Sequence, residues 1–296
     1  MHRTPGRRFR LALSLAVLAT PAFAHAQSGA GTGGKLVLTG GVSQVEGAGG
    51  GGLVPWALIG GQGAAGQVGA QAYYTHVALD DYTLDSFGAL VGISDRLEVS
   101  LARQRFDTRN VGTALGLGRG FTIQQDVVGV KLRLAGDAIV EQDAWLPQIA
   151  VGFQYKRNDQ PGLLAAIGAR DHADFEPYLS ATKLYLAQSL LVNGTLRYTR
   201  ANQFGILGFG GDLRGSRRLQ FEGSAALLLR RNLAVGVEYR AKPNNLGIAR
   251  EDDAFDAFIA WAPSKHLSLT LAYVDLGNIV IADDQRGLYA SLQVGF

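Results

Sequence analysis

The chain has 296 residues, of which 47% are hydrophobic, 40 are Gly and 8 are Pro, and it contains no Cys. This composition excludes an intrinsically disordered chain and a scaffold held together by disulfides. The formal net charge is +3, and most of that excess lies near the start of the chain.

The first 26 residues have the pattern of a secretory signal peptide. A basic stretch is followed by the apolar run LALSLAVLA, and Ala24 and Ala26 form a small-residue cleavage site. The apolar stretch from Leu11 to Ala24 is shorter than the roughly 20 residues that a membrane helix needs. We therefore predict a signal peptide at residues 1–26 and a mature domain at residues 27–296.

Removal of the signal peptide changes the charge balance. The basic residues that would be lost are Arg3, Arg7, Arg8 and Arg10. Of the 28 Lys and Arg, 24 would remain, against 25 Asp and Glu. The mature protein is then nearly neutral, which gives no indication of nucleic-acid binding.

The mature chain shows alternation of apolar and polar residues in segments of about ten residues. For example, Ile149, Val151 and Phe153 alternate with Gln148 and Gln154. The pattern predicts an all-β fold, a transmembrane antiparallel β-barrel of about 14 strands, with 12 as the alternative. The predicted strands are 35–44, 53–61, 67–78, 82–93, 96–107, 121–134, 146–157, 175–186, 189–200, 204–210 or 217–230, 233–242, 254–262, 266–275 and 287–296.

The connections between these strands alternate in length. Residues 94–96, 187–188, 230–232 and 262–266 are short, whereas 108–120, 158–174, 201–216, 243–253 and 276–286 are long. Short turns at one end and long loops at the other are typical of an outer-membrane barrel, whereas a soluble sandwich has no reason to sort its loops in this way.

Aromatic side chains are expected at the two membrane interfaces on the outward face of such a barrel. Tyr155, Tyr198, Tyr239 and Tyr273 fall near the upper ends of predicted strands. Trp261 falls near a lower end, together with the terminal Phe296. We predict that these residues mark the two aromatic girdles.

Several long stretches of the mature chain resemble an uncharacterised family of proteobacterial outer-membrane β-barrel proteins, the domain of unknown function of the 3034 type. The stretches that carry the resemblance include LTGGVSQVEGAGGGGLVPWALIGG, LGLGRGFTIQQDVVGVKLRLAGD and AWAPSKHLSLTLAYVDLG. The resemblance implies a bacterial outer-membrane location and brings no reaction, ligand or cofactor.

The segment GLYASLQVGF, residues 287–296, is the predicted closing strand, which must pair with the first strand because a spanning sheet can leave no free edge. By resemblance to bacterial barrels, its outward residues Leu292, Val294 and Phe296 form a signal for the barrel-assembly machinery. The lipid bilayer and that machinery are the predicted partners, and no nucleic acid is expected.

Charged residues on the predicted inward faces indicate a polar lumen, since Lys or Arg on the lipid face costs roughly 2–4 kcal/mol at the midplane. The candidates for the lumen lining are Lys131, Arg133, Lys156, Arg197, Arg240, Lys242, Glu98, Glu222, Glu238 and Asp256. The Gly-rich stretch 29–52 could fold into this lumen, but we favour a first outer loop.

Three functions are compatible with the sequence. The first is a passive porin-like channel for small solutes, in which the mild basic excess would favour anions. The second is a closed barrel that is structural or binds a ligand through its long loops. The third is a lipid hydrolase, for which His76 near Ser86 is a weak candidate, so we predict that the protein is not an enzyme. No cofactor and no metal site are predicted.

Overall fold

The computed structural model describes residue 35 and residues 37–139 and 145–296; the predicted signal peptide lies outside these residues. Twelve antiparallel strands form a closed barrel in which each strand pairs with its sequence neighbours and the last pairs with the first. The strands are β1 Val68–Leu79, β2 Thr83–Ile93, β3 Leu97–Asp107, β4 Thr122–Ala135, β5 Gln148–Asn158, β6 Ala173–Tyr185, β7 Leu190–Thr199, β8 Arg218–Arg230, β9 Leu233–Arg240, β10 Ala254–Ser264, β11 Leu267–Asp275 and β12 Arg286–Gly295.

In the part of the chain that the structure describes, helical structure is confined to the connections. Two short helices, α1 Val111–Ala114 and α2 Pro161–Ala166, and one 3-10 turn, Asn202–Gly205, lie there in long loops. None of the helices in the described residues has the length and apolar character needed to cross a membrane.

The strands alternate between buried and exposed residues because successive side chains point to opposite faces of the sheet. In β10 the outward residues Phe255, Ile259 and Trp261 are exposed, whereas the inward Asp256 and Phe258 are buried. Because the sheet is closed, its backbone groups pair with each other and do not need water. The apolar exterior can therefore face lipid, which offers no hydrogen-bond partners. The protein is a β-barrel of the bacterial outer membrane, as predicted.

The prediction of about 14 strands is wrong, and the number is 12. Residues 35–44 and 53–61 are not strands in the parts that the structure describes. Apart from the partly buried Val37, the apolar residues that the structure describes in these segments are buried inside the barrel, and a short apolar run does not distinguish a buried strand from another buried segment. The alternative of 12 strands is correct, and the structure shows that these two segments are the ones that are not strands.

The segment 204–210 is also not a strand, whereas its alternative at 217–230 corresponds to β8. Phe204, Gly205, Gly208 and Gly210 all have positive φ values, of 60°, 100°, 77° and 62°. A chain that repeatedly enters the left-handed region turns on itself and cannot form a ladder.

Long and short connections are sorted between the two ends of the barrel, with two exceptions. The long-loop end carries 108–121, 159–172, 200–217, 241–253 and 276–285, together with the short turn 80–82. The short-turn end carries 94–96, 186–189, 231–232 and 265–266, together with the longer connection 136–147. In outer-membrane barrels these ends are extracellular and periplasmic, respectively.

The seam between β1 and β12 closes the barrel. It runs from the pair Gln71 and Gly295 to the pair Leu79 and Gly287. Backbone hydrogen bonds of 3.0 and 2.8 Å between Ala70 and Phe296 extend it by one residue. The closing strand is therefore the one predicted, but its partner is β1 and not residues 35–44.

Candidate functional site in the barrel lumen

The lumen is filled by residues 37–62, which we call the plug. Residues 38–61 are all buried, and isolated bridges pair Ser43 with Gly49 and Gly50 with Pro55. The preferred prediction, an outer loop for the stretch 29–52, is wrong for the residues that the structure describes. The alternative placement inside the lumen is correct for them, while residues 29–34 and 36 lie outside the described part.

Glycine allows the plug to approach the wall closely. A Cβ added to Gly51 would lie 2.0 Å from Glu238 Oε1, and one added to Gly50 would lie 2.3 Å from the Val54 carbonyl oxygen. A side chain at Gly51 would displace the Glu238 carboxylate of the wall, and one at Gly50 would collide with the backbone of the plug itself, so Gly fits both positions best.

Glu46, the only charged residue in the plug sequence, lies among three cations of the wall. Arg240 Nη2 donates to both carboxylate oxygens, at 3.1 and 3.0 Å. Lys156 Nζ donates to Glu46 Oε1, and Arg197 Nη2 lies 3.9 Å from Glu46 Oε2. All four side chains are at most 3% exposed.

Two wall carboxylates complete this arrangement. Glu176 contacts Lys156, and Glu222 accepts hydrogen bonds from Arg197. We call the whole set the Glu46 cluster; it consists of Glu46, Lys156, Glu176, Arg197, Glu222 and Arg240. It holds three positive and three negative charges, so each buried charge has a partner of opposite sign.

A second ion pair of the wall, formed by Glu98 and Lys131, binds the backbone of the plug. Glu98 accepts hydrogen bonds from the backbone N–H groups of Gly49 at 2.9 Å and Gly60 at 2.6 Å. Lys131 Nζ donates to the carbonyl oxygens of Gly49 at 2.8 Å and Leu58 at 2.7 Å, and to Glu98 at 3.0 Å. The two side chains thus satisfy backbone groups from both halves of the plug.

An apolar contact supports the same segment. Trp56 is 6% exposed, and its indole N–H donates to Ser224 Oγ at 2.9 Å. Beside it lies a cavity of about 30 Å³ lined mainly by apolar side chains, including Leu191, Ala226 and Phe258. Such a cavity stays dry, so the plug is held by hydrophobic burial as well as by charge.

Asp256 is a buried carboxyl group whose two oxygens accept no hydrogen bond from the described residues. It is paired in the β-ladder with Glu238, which itself accepts hydrogen bonds from Leu53 N and Ser224 Oγ, both at 2.7 Å. A buried carboxyl group that lacks a donor and lies beside a second acidic group destabilises its site.

We expect Asp256→Asn to stabilise the barrel by about 1 kcal/mol, because the amide can donate to Glu238 and carries no charge. The measurement is the temperature at which the folded band is lost in gel electrophoresis of heated samples. Asp283→Asn, at an exposed loop position, is the control and should leave that temperature unchanged. A lower temperature for Asp256→Asn would show that the carboxyl group has a stabilising partner.

The long-loop end of the lumen is covered by residues 201–211, which are all buried. The centroid of the Phe204 ring lies 4.1 Å from Arg240 Cζ and 5.6 Å from Lys242 Nζ. Lys242 Nζ also donates to Gln203 Oε1 at 2.7 Å. The Gln203 N–H donates to both oxygens of Glu251 at 2.8 Å, which anchors the turn to the loop 241–253.

The carboxyl group of Glu251, which anchors this turn, has a raised pKa. Burial raises the pKa of Glu251 from 4.5 to about 7, although Lys242 and the Gln203 N–H act in the opposite direction. Because the folded state holds this proton more tightly than the unfolded state, stability from the group is present below pH 4.5. That stability is lost as pH rises through about 7.

We expect the wild-type barrel to lose stability on the order of 3 kcal/mol between pH 4.5 and 7.5 through this group. Glu251→Gln should flatten the profile of thermal unfolding against pH in that window, because it cannot titrate. An equal slope in both proteins would assign the pH dependence to another group.

Among the residues that the structure describes, no group of three or more His, Cys, Asp or Glu side chains is arranged to hold a metal ion. His76 and Ser86 do not form a nucleophile and base pair. His76 Nδ1 lies 2.7 Å from Asp85 Oδ1 on the outside of the barrel, whereas Ser86 is buried inside and donates to the Val45 carbonyl oxygen at 2.6 Å.

Comparison with known proteins identifies the family. The family model described as "Protein of unknown function (DUF3034)" matches residues 39–293. The chain belongs to the DUF3034 family. This confirms the resemblance seen in the sequence, and the match includes both the plug and the wall of the barrel.

Solved structures with a similar fold are outer-membrane barrels, while curated proteins give no match. The KdgM porin in complex with oligogalacturonate is 11% identical, with a TM-score of 0.49 over 76% of this chain and 99% of that chain. Omp33 of Acinetobacter baumannii is 8% identical, with a TM-score of 0.44 over 79% and 100%. The COG4313 channel of Pseudomonas putida F1 is 12% identical, with a TM-score of 0.43 over 79% and 96%. Likeness at this level carries no argument about the function of the DUF3034 chain.

Nine of the ten lumen candidates predicted for this DUF3034 member are buried inside the barrel or at its long-loop end. They are Glu98, Lys131, Lys156, Arg197, Glu222, Glu238, Arg240, Lys242 and Asp256. Arg133 differs, since its side chain lies at the short-turn end, where it contacts Asp95 and Asp137 and is 21% exposed. Sequence reasoning missed Glu176 and Glu46, of which Glu46 was recognisable as a lone charge in a Gly-rich segment.

The predicted interface aromatics of the DUF3034 barrel all point outward. Tyr198, Tyr273 and Trp261 are exposed on the barrel surface, while Tyr155 packs on Phe175 and Tyr239 on Phe255. The predicted assembly residues Leu292, Val294 and Phe296 are exposed on the same outer face. Their roles as membrane anchors and as an assembly signal stay predictions.

Proposed function

We propose that this protein is an outer-membrane channel for small solutes whose own plug holds it closed. The observation that supports the proposal is the polar wall of the lumen, where the plug is held through side chains that water can solvate equally well. Charged groups are costly in a permanently dry interior, and they cost little in a lumen that fills with water when the plug leaves. A barrel of 12 strands is wider than the roughly eight-stranded barrels that side chains fill.

The plug has a route of exit at the short-turn end. Residue 62 is joined through residues 63–67 to the start of β1 at the short-turn end. The plug can therefore move toward the periplasm without passing residues 201–211, which cover the long-loop end. Release of the plug therefore needs the ionic contacts of Glu46 and the hydrogen bonds from the plug backbone to Glu98 and Lys131 to break, while the wall stays intact.

A disulfide bond between the plug and the wall tests the proposal. Because the chain has no native Cys, no other disulfide can form. A Cβ on Gly41 would lie 3.7 Å from Ser268 Oγ, so Gly41→Cys with Ser268→Cys can tie the plug to β11. In planar bilayers we expect brief openings for the wild type, none for the oxidised double variant, and their return on reduction. Each single Cys variant is the control and should open in both redox conditions. Absence of openings in the wild type at every voltage would contradict the proposal.

We propose a mild anion preference for the open state. When Glu46 leaves with the plug, Lys156, Arg197 and Arg240 face only Glu176 and Glu222, although Glu238 and Asp256 elsewhere on the wall reduce the local excess. The reversal potential in a salt gradient measures the preference, and a cation-selective value would contradict it.

A closed barrel that binds a ligand through its loops is the second candidate. It is favoured by the complete burial of residues 201–211, which fill the long-loop end independently of the plug. Liposome swelling with small sugars and amino acids decides between the two, since entry of any of these solutes excludes a closed barrel. A lipid hydrolase has no support from His76 and Ser86, which face opposite sides of the wall.

We propose that the outward residues Leu292 and Val294 of β12, together with Phe296, serve the barrel-assembly machinery. Deletion of Phe296 should lower the amount of protein inserted in the outer membrane and leave the conductance of the inserted molecules unchanged. Normal insertion of the shortened chain would contradict this role.

A further inference from the structure

We propose that the Glu46 cluster is a binding site for the carboxylate group of a transported solute, and that Glu46 occupies this site until a solute replaces it. The inference rests on the proposed channel function and adds to it a class of solute and a reason for the plug to move.

The site belongs to the wall and not to the plug. Lys156 lies on β5, Arg197 on β7 and Arg240 on β9, so their relative positions are set by the ladders of the barrel. Gln154 accepts from Arg197 at 2.6 Å, and Phe204 lies over Arg240. These partners keep the cations in place when the plug is absent.

The wall residues of the Glu46 cluster have a charge that one anionic group balances. Without Glu46, three cations face Glu176 and Glu222, which leaves an excess of one positive charge in a buried position. A single carboxylate removes that excess, and a buried ionic set that has lost one partner is strongly destabilised.

The geometry matches a carboxylate more closely than a halide or a hydroxyl group. Arg240 Nη2 contacts both oxygens of Glu46, while Lys156 Nζ approaches Oε1 from another strand. Planar guanidinium groups favour planar oxyanions through paired hydrogen bonds. The Phe204 and Tyr178 rings, which pack on Arg240 and Arg197, add apolar surface for the body of a small solute.

Competition between the solute and Glu46 would couple transport to opening. A solute carboxylate that reaches the Glu46 cluster lowers the free energy of the released plug, because the cations no longer lose a partner when Glu46 leaves. The channel then opens more often when its solute is present.

Block of the ion current tests the site in the full-length Glu46→Gln variant, with glucuronate as the probe and glucose as its neutral counterpart. We expect the half-blocking concentration of glucuronate to be at least tenfold below that of glucose. Adding Lys156→Gln should abolish the difference, because two cations then balance Glu176 and Glu222, whereas Lys156→Arg should retain it. Arg157→Gln, the adjacent outward-facing position, is the matched control and should also retain it.

The outcomes separate the two proposals. If Glu46→Gln conducts but glucuronate and glucose block it equally, the carboxylate site is wrong and the gated channel stands. If the Glu46→Gln variant is folded by gel mobility but carries no current, both are wrong. In the wild type, glucuronate should raise the fraction of time open, and an equal rise with glucose would also contradict the site.

Discussion

Glu46→Gln is expected to convert brief openings into a channel that is open for much of the recording. The change removes the charge of the plug and leaves Lys156, Arg197 and Arg240 with one carboxylate too few. Loss of one partner from a buried ionic set costs about 3–5 kcal/mol, and each 1.4 kcal/mol is a factor of about ten in an equilibrium constant. The ratio of released to seated plug should therefore rise by about 100-fold or more, which single-channel recording in planar bilayers measures as open time.

Ser43→Ala is the matched control for this result. Ser43 is equally buried in the plug, but it contributes one neutral hydrogen bond, from Gln71 Nε2 at 2.8 Å, and such a bond contributes about 1 kcal/mol. We expect a rise in open time of about tenfold or less. If Glu46→Gln opens the channel no more than Ser43→Ala does, the ionic contacts do not hold the plug.

Trp56→Ala is expected to have the second largest effect, on both opening and stability. The substitution removes a buried indole beside the existing cavity and breaks the hydrogen bond to Ser224, and buried Trp to Ala changes cost about 3–5 kcal/mol. Because the contact lies between plug and wall, the loss should appear as longer openings and as a lower temperature of thermal unfolding. Both can be measured on the same preparation.

Two variants control for this result. Trp56→Phe keeps most of the apolar volume and loses the N–H donor, so its effect should be clearly smaller than that of Trp56→Ala. Trp145→Ala changes a side chain that is 89% exposed and should be neutral. Equal behaviour of Trp56→Ala and Trp145→Ala would mean that the plug gains nothing from apolar burial.

The wall of the barrel was predictable from sequence because its signal is local. Alternation over ten residues indicates which side chains share a face of the sheet, and Lys131, Lys156 and Arg197 are buried inside the barrel. Arg133 differs because it lies where the pairing of β4 with β5 shifts register, between Arg133 and Ala135. A shift at a strand end is not visible in alternation.

The plug was not predictable in the same way. Segments such as LVPWALIGG have the apolar content of a strand, and burial inside a barrel produces that content without any ladder. The partners of Glu46 are distant in sequence, 110 residues away for Lys156 and 194 for Arg240. No spacing rule joins residues at such separations, so the central charge of the site could be recognised as unusual but not paired.

The attachment of the plug to β1 has a consequence for the order of events during folding. Neighbouring strands can zip together through contacts of short sequence separation, whereas the plug gains its ionic partners only after β5, β7 and β9 have joined the sheet. Contacts of long sequence separation form slowly because chain entropy must be lost first. Since the same short linker, residues 63–67, leads into the strand that closes the seam, we expect the plug to enter at the stage at which β1 pairs with β12, so that a newly made barrel is closed from the start.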